Sequence, residues 1–311
     1  MKKSKKILVA GLATAMGIVA ATAATSGAAW FTTQRTVSVG VADFAAAAAE
    51  GNIQIKFKNS TFGLTSSASD FVTDALTLSV PVDSDGKATK VLTDVTSGNG
   101  VDFYKVNLSN DATPKVTSVR AKETAQKNSL NDDLYNFADF TLTVGNTEPT
   151  GAGLNVFISK VTDKALFIKK STSTKDLSSA YRLAIFNTTG DVAPSNSNCV
   201  FFYTNDGQIT YFDSTCTPVD GVCTAKEYDD DTYMTGVGSP LFSSITTAPS
   251  GQGGKSATPA KNNQLLAANL TNTPVDLTFR VWIEGSDSVA TTDNAVGLVQ
   301  MNFNIVALVS E

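Results

Sequence analysis

The feature that most constrains this chain is an alternation of apolar and polar residues with a period of two, repeated along its length. Successive side chains of a strand point to opposite faces, so each such run reads as an amphipathic strand; a helix would need a period near 3.6. Val37, Val39 and Val41 share one face of residues 35–41, and Ile53, Ile55 and Phe57 share one face of 52–58. Leu76, Leu78 and Val80 do so in 75–80, and Phe140, Leu142 and Val144 in 139–144. The clearest run is 275–284, where Val275, Leu277, Phe279, Val281 and Ile283 oppose Asp276, Thr278, Arg280, Trp282 and Glu284. Residues 298–309 close the series. Each run is expected to put one face on a core and the other toward solvent.

Helical signals are few. Residues 44–50 are an alanine run of one or two turns, 122–135 carries a short helical pattern, and 174–181 reads as one turn before the strand at 182–186. None is long enough for a crossover helix, which argues against a parallel α/β sheet. Thr204-Asn205-Asp206-Gly207 predicts a tight hairpin between 199–203 and 208–212, and Ser84-Asp85-Gly86 a second turn. Residues 246–263 read as a surface loop. The expected fold is all-β: an antiparallel β-sandwich of jelly-roll type, with long loops and few short helices.

The N-terminus reads as an address. Lys2, Lys3, Lys5 and Lys6 precede a run from Ile7 to Trp30 that carries no charge and ends in small residues, the pattern of a bacterial secretory signal. The expected organisation is a signal peptide over 1–29 and one sandwich domain over 30–311. That domain has an extended N-terminal strand at 30–43 and a cysteine-containing hairpin region at 190–262. A separate β lobe over 190–262 is the alternative. Removing the four leader lysines from 24 basic residues leaves 20 against 29 acids, a net charge of −9. That surface repels nucleic acid and anionic lipid. The expected protein is secreted, extracellular or at the cell surface, and free of the membrane after cleavage.

Export also sets the chemistry of the three cysteines, Cys199, Cys216 and Cys223. The stretch 216–223 contains two turn signals, Thr217-Pro218 and Asp220-Gly221, so Cys216–Cys223 is the favoured bridge, with Cys199 pairing to either as its competitor. The chain has no histidine. It therefore contains no Ser-His-Asp or Cys-His machinery and no His-ligated metal. Asp229, Asp230 and Asp231, between Tyr228 and Tyr233, are candidate oxygen ligands for calcium; a solvated loop is the plainer reading. Asp83-Ser84-Asp85-Gly86 opens like a calcium loop but reads better as a β-turn. Glu284 and Asp287 are spaced like a glycosidase carboxylate pair, although a strand-ending turn accounts for them too. No motif calls for a cofactor.

Several segments resemble the TasA/camelysin group of exported bacterial proteins. These are the leader from Gly17 to Phe31, the step from Ala29-Trp30-Phe31-Thr32 into Val37–Val41, and the run from Tyr135 to Thr147. Arg182-Leu183-Ala184-Ile185-Phe186 and the run from Arg280 to Asp287 also look like paired segments of related exported proteins. The resemblance covers about a third of the chain. It implies a jelly-roll subunit of extracellular matrix or biofilm fibres, a homopolymer assembled by donor-strand exchange, with Val37, Val39 and Val41 as the donated face. Some members of that group carry a metalloprotease label, which this histidine-free sequence cannot take over in its zinc form. The competing expectations are a surface adhesin using the aromatic residues of 190–262 and a carboxylate-dependent hydrolase; a non-enzymatic structural role is the favoured one.

Overall fold

The long alternating runs become the long strands of the computed structural model. It describes residues 46–48, 53–73, 75–84, 89–109, 115–120, 122–123, 134–147, 153–160, 166–169, 173, 176–204, 210–227, 265–287, 290 and 299–309. The strands that build the two main sheets are β1 (Ala46–Ala48), β2 (Ile53–Ser60), β3 (Ala75–Leu76), β4 (Asp94–Val95), β5 (Ala138–Asn146), β6 (Leu154–Lys160), β7 (Tyr181–Asn187), β8 (Cys199–Thr204), β9 (Leu265–Leu270), β10 (Val275–Glu284) and β11 (Phe303–Val309). One sheet has the order β9-β6-β11-β1-β3 and the other β8-β7-β10-β5-β2, with β4 joining the end of β10. Along the chain, β5, β6, β7–β8, β9, β10 and β11 alternate between the two sheets. The orders β9-β6-β11-β1 and β8-β7-β10-β5 are those of a jelly roll. All their neighbours are antiparallel except one: β1 runs parallel to β11.

The inward residues of both sheets form one apolar cluster. It includes Phe140, Leu142, Leu183, Ile185, Phe279 and Val281 from one sheet and Val156, Ile158, Phe303 and Ile305 from the other. Phe279 stacks on Phe140 at 4.9 Å within its sheet and on Phe303 at 5.0 Å across the sandwich. Aromatic contacts of this kind add about 0.5–1.5 kcal/mol beyond the area they bury.

The outward face of the six-stranded sheet departs from expectation. Thr278, Arg280, Trp282 and Glu284 alternate with the core residues of β10, yet all four are buried. Residues 94–104 lie over them, and Val95 and Phe103 pack with Ala184, Phe186, Cys199, Phe202 and Trp282 in a second cluster. Trp282 meets Phe103 at 5.4 Å and Phe202 at 5.3 Å, edge to face in both cases. The cover comes close: Gly100, at φ +68°, would bring a Cβ to 2.6 Å from that of Ala184. Glycine supplies both the left-handed backbone and the missing atom.

Two local expectations are also revised, and a third is met. Ala46–Ala48 is strand, not helix. Alanine's helical preference is under 1 kcal/mol per residue, and three residues cannot nucleate a helix, while the edge of β11 offers ladder bonds. The arms of the expected 204–207 hairpin do not pair with each other. Cys199–Thr204, apolar on both faces, lies beside β7, whereas Thr210–Tyr211 pairs with Lys226–Glu227. Residues 205–209 lie outside the described residues. The turn expected at 174–181 is present as a 3-10 helix at Ser178–Ala180. The segments 35–41 and 246–263 and most of 122–135 lie outside the described residues.

Candidate functional site

The candidate is the edge of β11 turned away from β6. On its covered side β11 pairs along its whole length, from Phe303 with Lys160 to Val309 with Leu154. On the other side β1 meets only Phe303, Asn304 and Ile305, through Ala46, Ala47 and Ala48. Among the described residues, no strand pairs with Val306–Val309 on that side. Phe303, Ile305 and Ala307 point into the core and are buried. A strand edge with unfilled backbone groups beside a finished core is a template for another extended segment. The donor residues expected from the sequence, Val37, Val39 and Val41, lie outside the described residues.

The structure joins Cys216 to Cys223, with their Cα atoms 5.7 Å apart, and Cys199 is a buried thiol outside the disulfide. Between the bridged residues, Val219 and Val222 exchange backbone hydrogen bonds at 2.9 and 3.0 Å. Asp220 and Gly221 both have positive φ, 51° and 76°, which defines a type I′ turn and explains the Asp-Gly pair. Cys223 is anchored by its N–H to the Val116 carbonyl at 2.7 Å and packs with Val106, Val116 and Phe212 in a third small cluster. Opening this eight-residue ring, as Cys216→Ala/Cys223→Ala, is expected to cost roughly 2–3 kcal/mol by loop-closure entropy. Urea titration of the pair against the parent measures it, and a difference below about 0.5 kcal/mol would refute the entropic account.

The other sequence candidates separate. Asp229, Asp230 and Asp231 lie outside the described residues. Among the described residues, no group of three or more Cys, Asp or Glu is placed to hold a metal ion, and no helix is long and apolar enough to cross a membrane. Glu284 and Asp287 are both buried. Glu284 accepts from the Ser286 hydroxyl at 2.8 Å, and Asp287 pairs with Arg182 at 3.4 Å. Burial pushes the Glu284 carboxyl up; the positive Arg182 and hydrogen bonds from Thr96 and Ser286 oppose that rise.

Among the ion pairs that escaped sequence reasoning are two that involve β10. Arg280 grips Asp139 through Nε at 2.8 Å and Nη2 at 2.7 Å, donates from Nη1 to the Gly100 carbonyl at 3.0 Å, and lies 4.0 Å over the Phe137 ring. Arg280 lies on the polar face of the alternation at 275–284, so the sequence did not separate it from a solvent residue. At the far end of the sheet, Lys58 donates to Asp191 at 2.7 Å and Asp276 at 2.8 Å, and these hydrogen bonds push the lysine up to about 12. Compared with known proteins, the chain matches no family model, no curated protein and no solved structure.

Proposed function

We propose that the chain is a secreted structural subunit of an extracellular fibre, in which the N-terminal segment of one copy adds a strand beside β11 of the next. The half-covered edge of β11 is the observation that carries this reading. Seven jelly-roll places hold antiparallel strands of six to ten residues; in the eighth, the described residues are Ala46–Ala48, running parallel to β11. Among the described residues, no strand lies beside Val306–Val309 on that side, and an extended segment of a neighbouring copy would complete the ladder there. The valines of 37–41 suit the seat, because alternate apolar residues of an added strand fill the core side.

The energetics make the contact sensitive to one face. Three buried valines contribute roughly 5 kcal/mol, and ordering about seven residues costs several. Ladder hydrogen bonds, at about 1 kcal/mol each, supply the rest. Val39→Asp places a charge in that seat and is expected to abolish filaments while the domain stays folded. Ser38→Asp, on the opposite face, is expected to assemble. Electron microscopy of the purified mature chain and both variants, with melting curves of the monomers, decides. Filament formation by Val39→Asp at the parental rate overturns the donor assignment. A parent that forms no filament overturns the fibre reading. A lowered melting temperature of monomeric Val39→Asp would mean that the strand belongs to its own domain.

A further inference from the structure

Under the cover on the six-stranded sheet, three neighbouring side chains end in buried polar atoms with no hydrogen-bond partner in the protein: Arg182 Nε, Trp282 Nε1 and Glu284 Oε2. They are neighbours by register. Arg182 lies directly opposite Trp282 across β7 and β10, and Glu284 is the next outward residue of β10. Their other contacts are already committed. Arg182 Nη1 donates to the carbonyls of Ser179 and Tyr181, its Nη2 to Asp287, Glu284 Oε1 accepts from Ser286, and the Glu284 carboxyl also has a hydrogen bond from Thr96. Such groups in native interiors are normally satisfied, by protein or by ordered water.

The three demands select the chemistry of what meets them. Two are N–H donors and one is a carboxylate oxygen. An anion would satisfy both donors but face the carboxylate, and a cation would satisfy the carboxylate but face both donors. Only a small neutral molecule that accepts and donates answers all three. We propose that a water molecule is held here, accepting from Arg182 Nε and Trp282 Nε1 and donating to Glu284 Oε2. Three protein partners is the usual complement of an internal water. The site lies between the sheet and its cover, so the water links two strands and the 284–287 turn in one network.

Nuclear magnetic resonance on the full mature chain at neutral pH tests this. The Trp282 indole N–H, identified by the signal lost in Trp282→Phe, is expected to show a direct cross-peak to water, with the sign of a long-lived bound molecule. In Glu284→Gln the peak should persist, because the amide keeps an acceptor and removes any carboxyl proton that could relay the signal. In Glu284→Met, which removes one of three hydrogen bonds, exchange of that water should quicken about fivefold. A dry indole in the folded parent overturns the proposal. So does a peak that vanishes in Glu284→Gln, which would trace it to the carboxyl proton, or one unaltered in Glu284→Met.

Discussion

Asp139→Ala is expected to lower the unfolding free energy by about 3–5 kcal/mol, the range for stranding one member of a buried ion pair. Arg280 would keep its contact with the Gly100 carbonyl and its stacking on Phe137, but its charge would lose the carboxylate it grips in a layer largely shielded from water. The penalty is one of desolvation, so it should be largely relieved by removing the charge as well. Asp139→Ala/Arg280→Met is expected to recover most of the loss, because an apolar pair can replace a buried ion pair at little or no net cost. Denaturant titration of the four proteins closes the cycle. A single-variant loss under 1 kcal/mol would show that water reaches Arg280, and a double variant no better than the single would assign the loss to packing.

Glu284 carries the second large effect, and it depends on pH. Burial raises the folded-state pKa of this carboxyl above its ordinary 4.5. The native state then holds the proton more tightly than the unfolded chain does, so stability rises as pH falls through the raised value. The gain is complete below about 4.5 and is lost again as pH climbs through the folded value. Glu284→Gln resembles the protonated form at every pH. It is expected to be more stable than the parent at pH 7–8, by about 1.4 kcal/mol per pH unit of the shift, and to lose that part of the pH slope. For Asp102 and Asp213 partial burial pushes the carboxyl up, but hydrogen bonds from Lys122 and Asn99 and from Lys226 and Thr215 outweigh it and hold both below the ordinary range, so they act in the opposite sense at lower pH, and their partial exposure keeps the effect small. Melting curves at intervals from pH 4 to 8 test the sign. A parent that loses stability steadily from pH 7 to 5, with Glu284→Gln parallel to it, would contradict the assignment.

The strands were legible because their code is local. Period two in 53–58, 139–144 and 275–284 needs no knowledge of the rest of the chain, and all three runs lie in the six-stranded sheet. The fate of the second face was not legible. Thr278 and Arg280 read as solvent residues, because polarity alone cannot distinguish water from a buried partner such as Thr141 or Asp139. What covers them, Val95 to Phe103, lies some 180 residues away and shows no strong period. The cysteine ring was readable from Thr217-Pro218 and Asp220-Gly221, since turn chemistry is also local. The β11 edge was not, because a missing ladder is a property of the whole topology. Alanine at 46–48 suggested a helix, for the same lack of tertiary context.

The strand order also fixes when this chain can fold. The centre of one sheet is β10 and the centre of the other is β6 with β11. β10 and β11 both lie after residue 274. β5 and β7 have no common neighbour until β10 arrives between them, and β6 lacks both of its partners until β9 and β11 exist. A chain emerging from the ribosome with its N-terminus first therefore presents flanks without centres for most of its synthesis. Closure must wait for contacts of very high sequence separation, the kind that slow folding most. The sandwich cannot close before β10 has been made, and a product cut short of β10 has the strands of the β7–β8 and β2–β5 pairs but not the one that unites them.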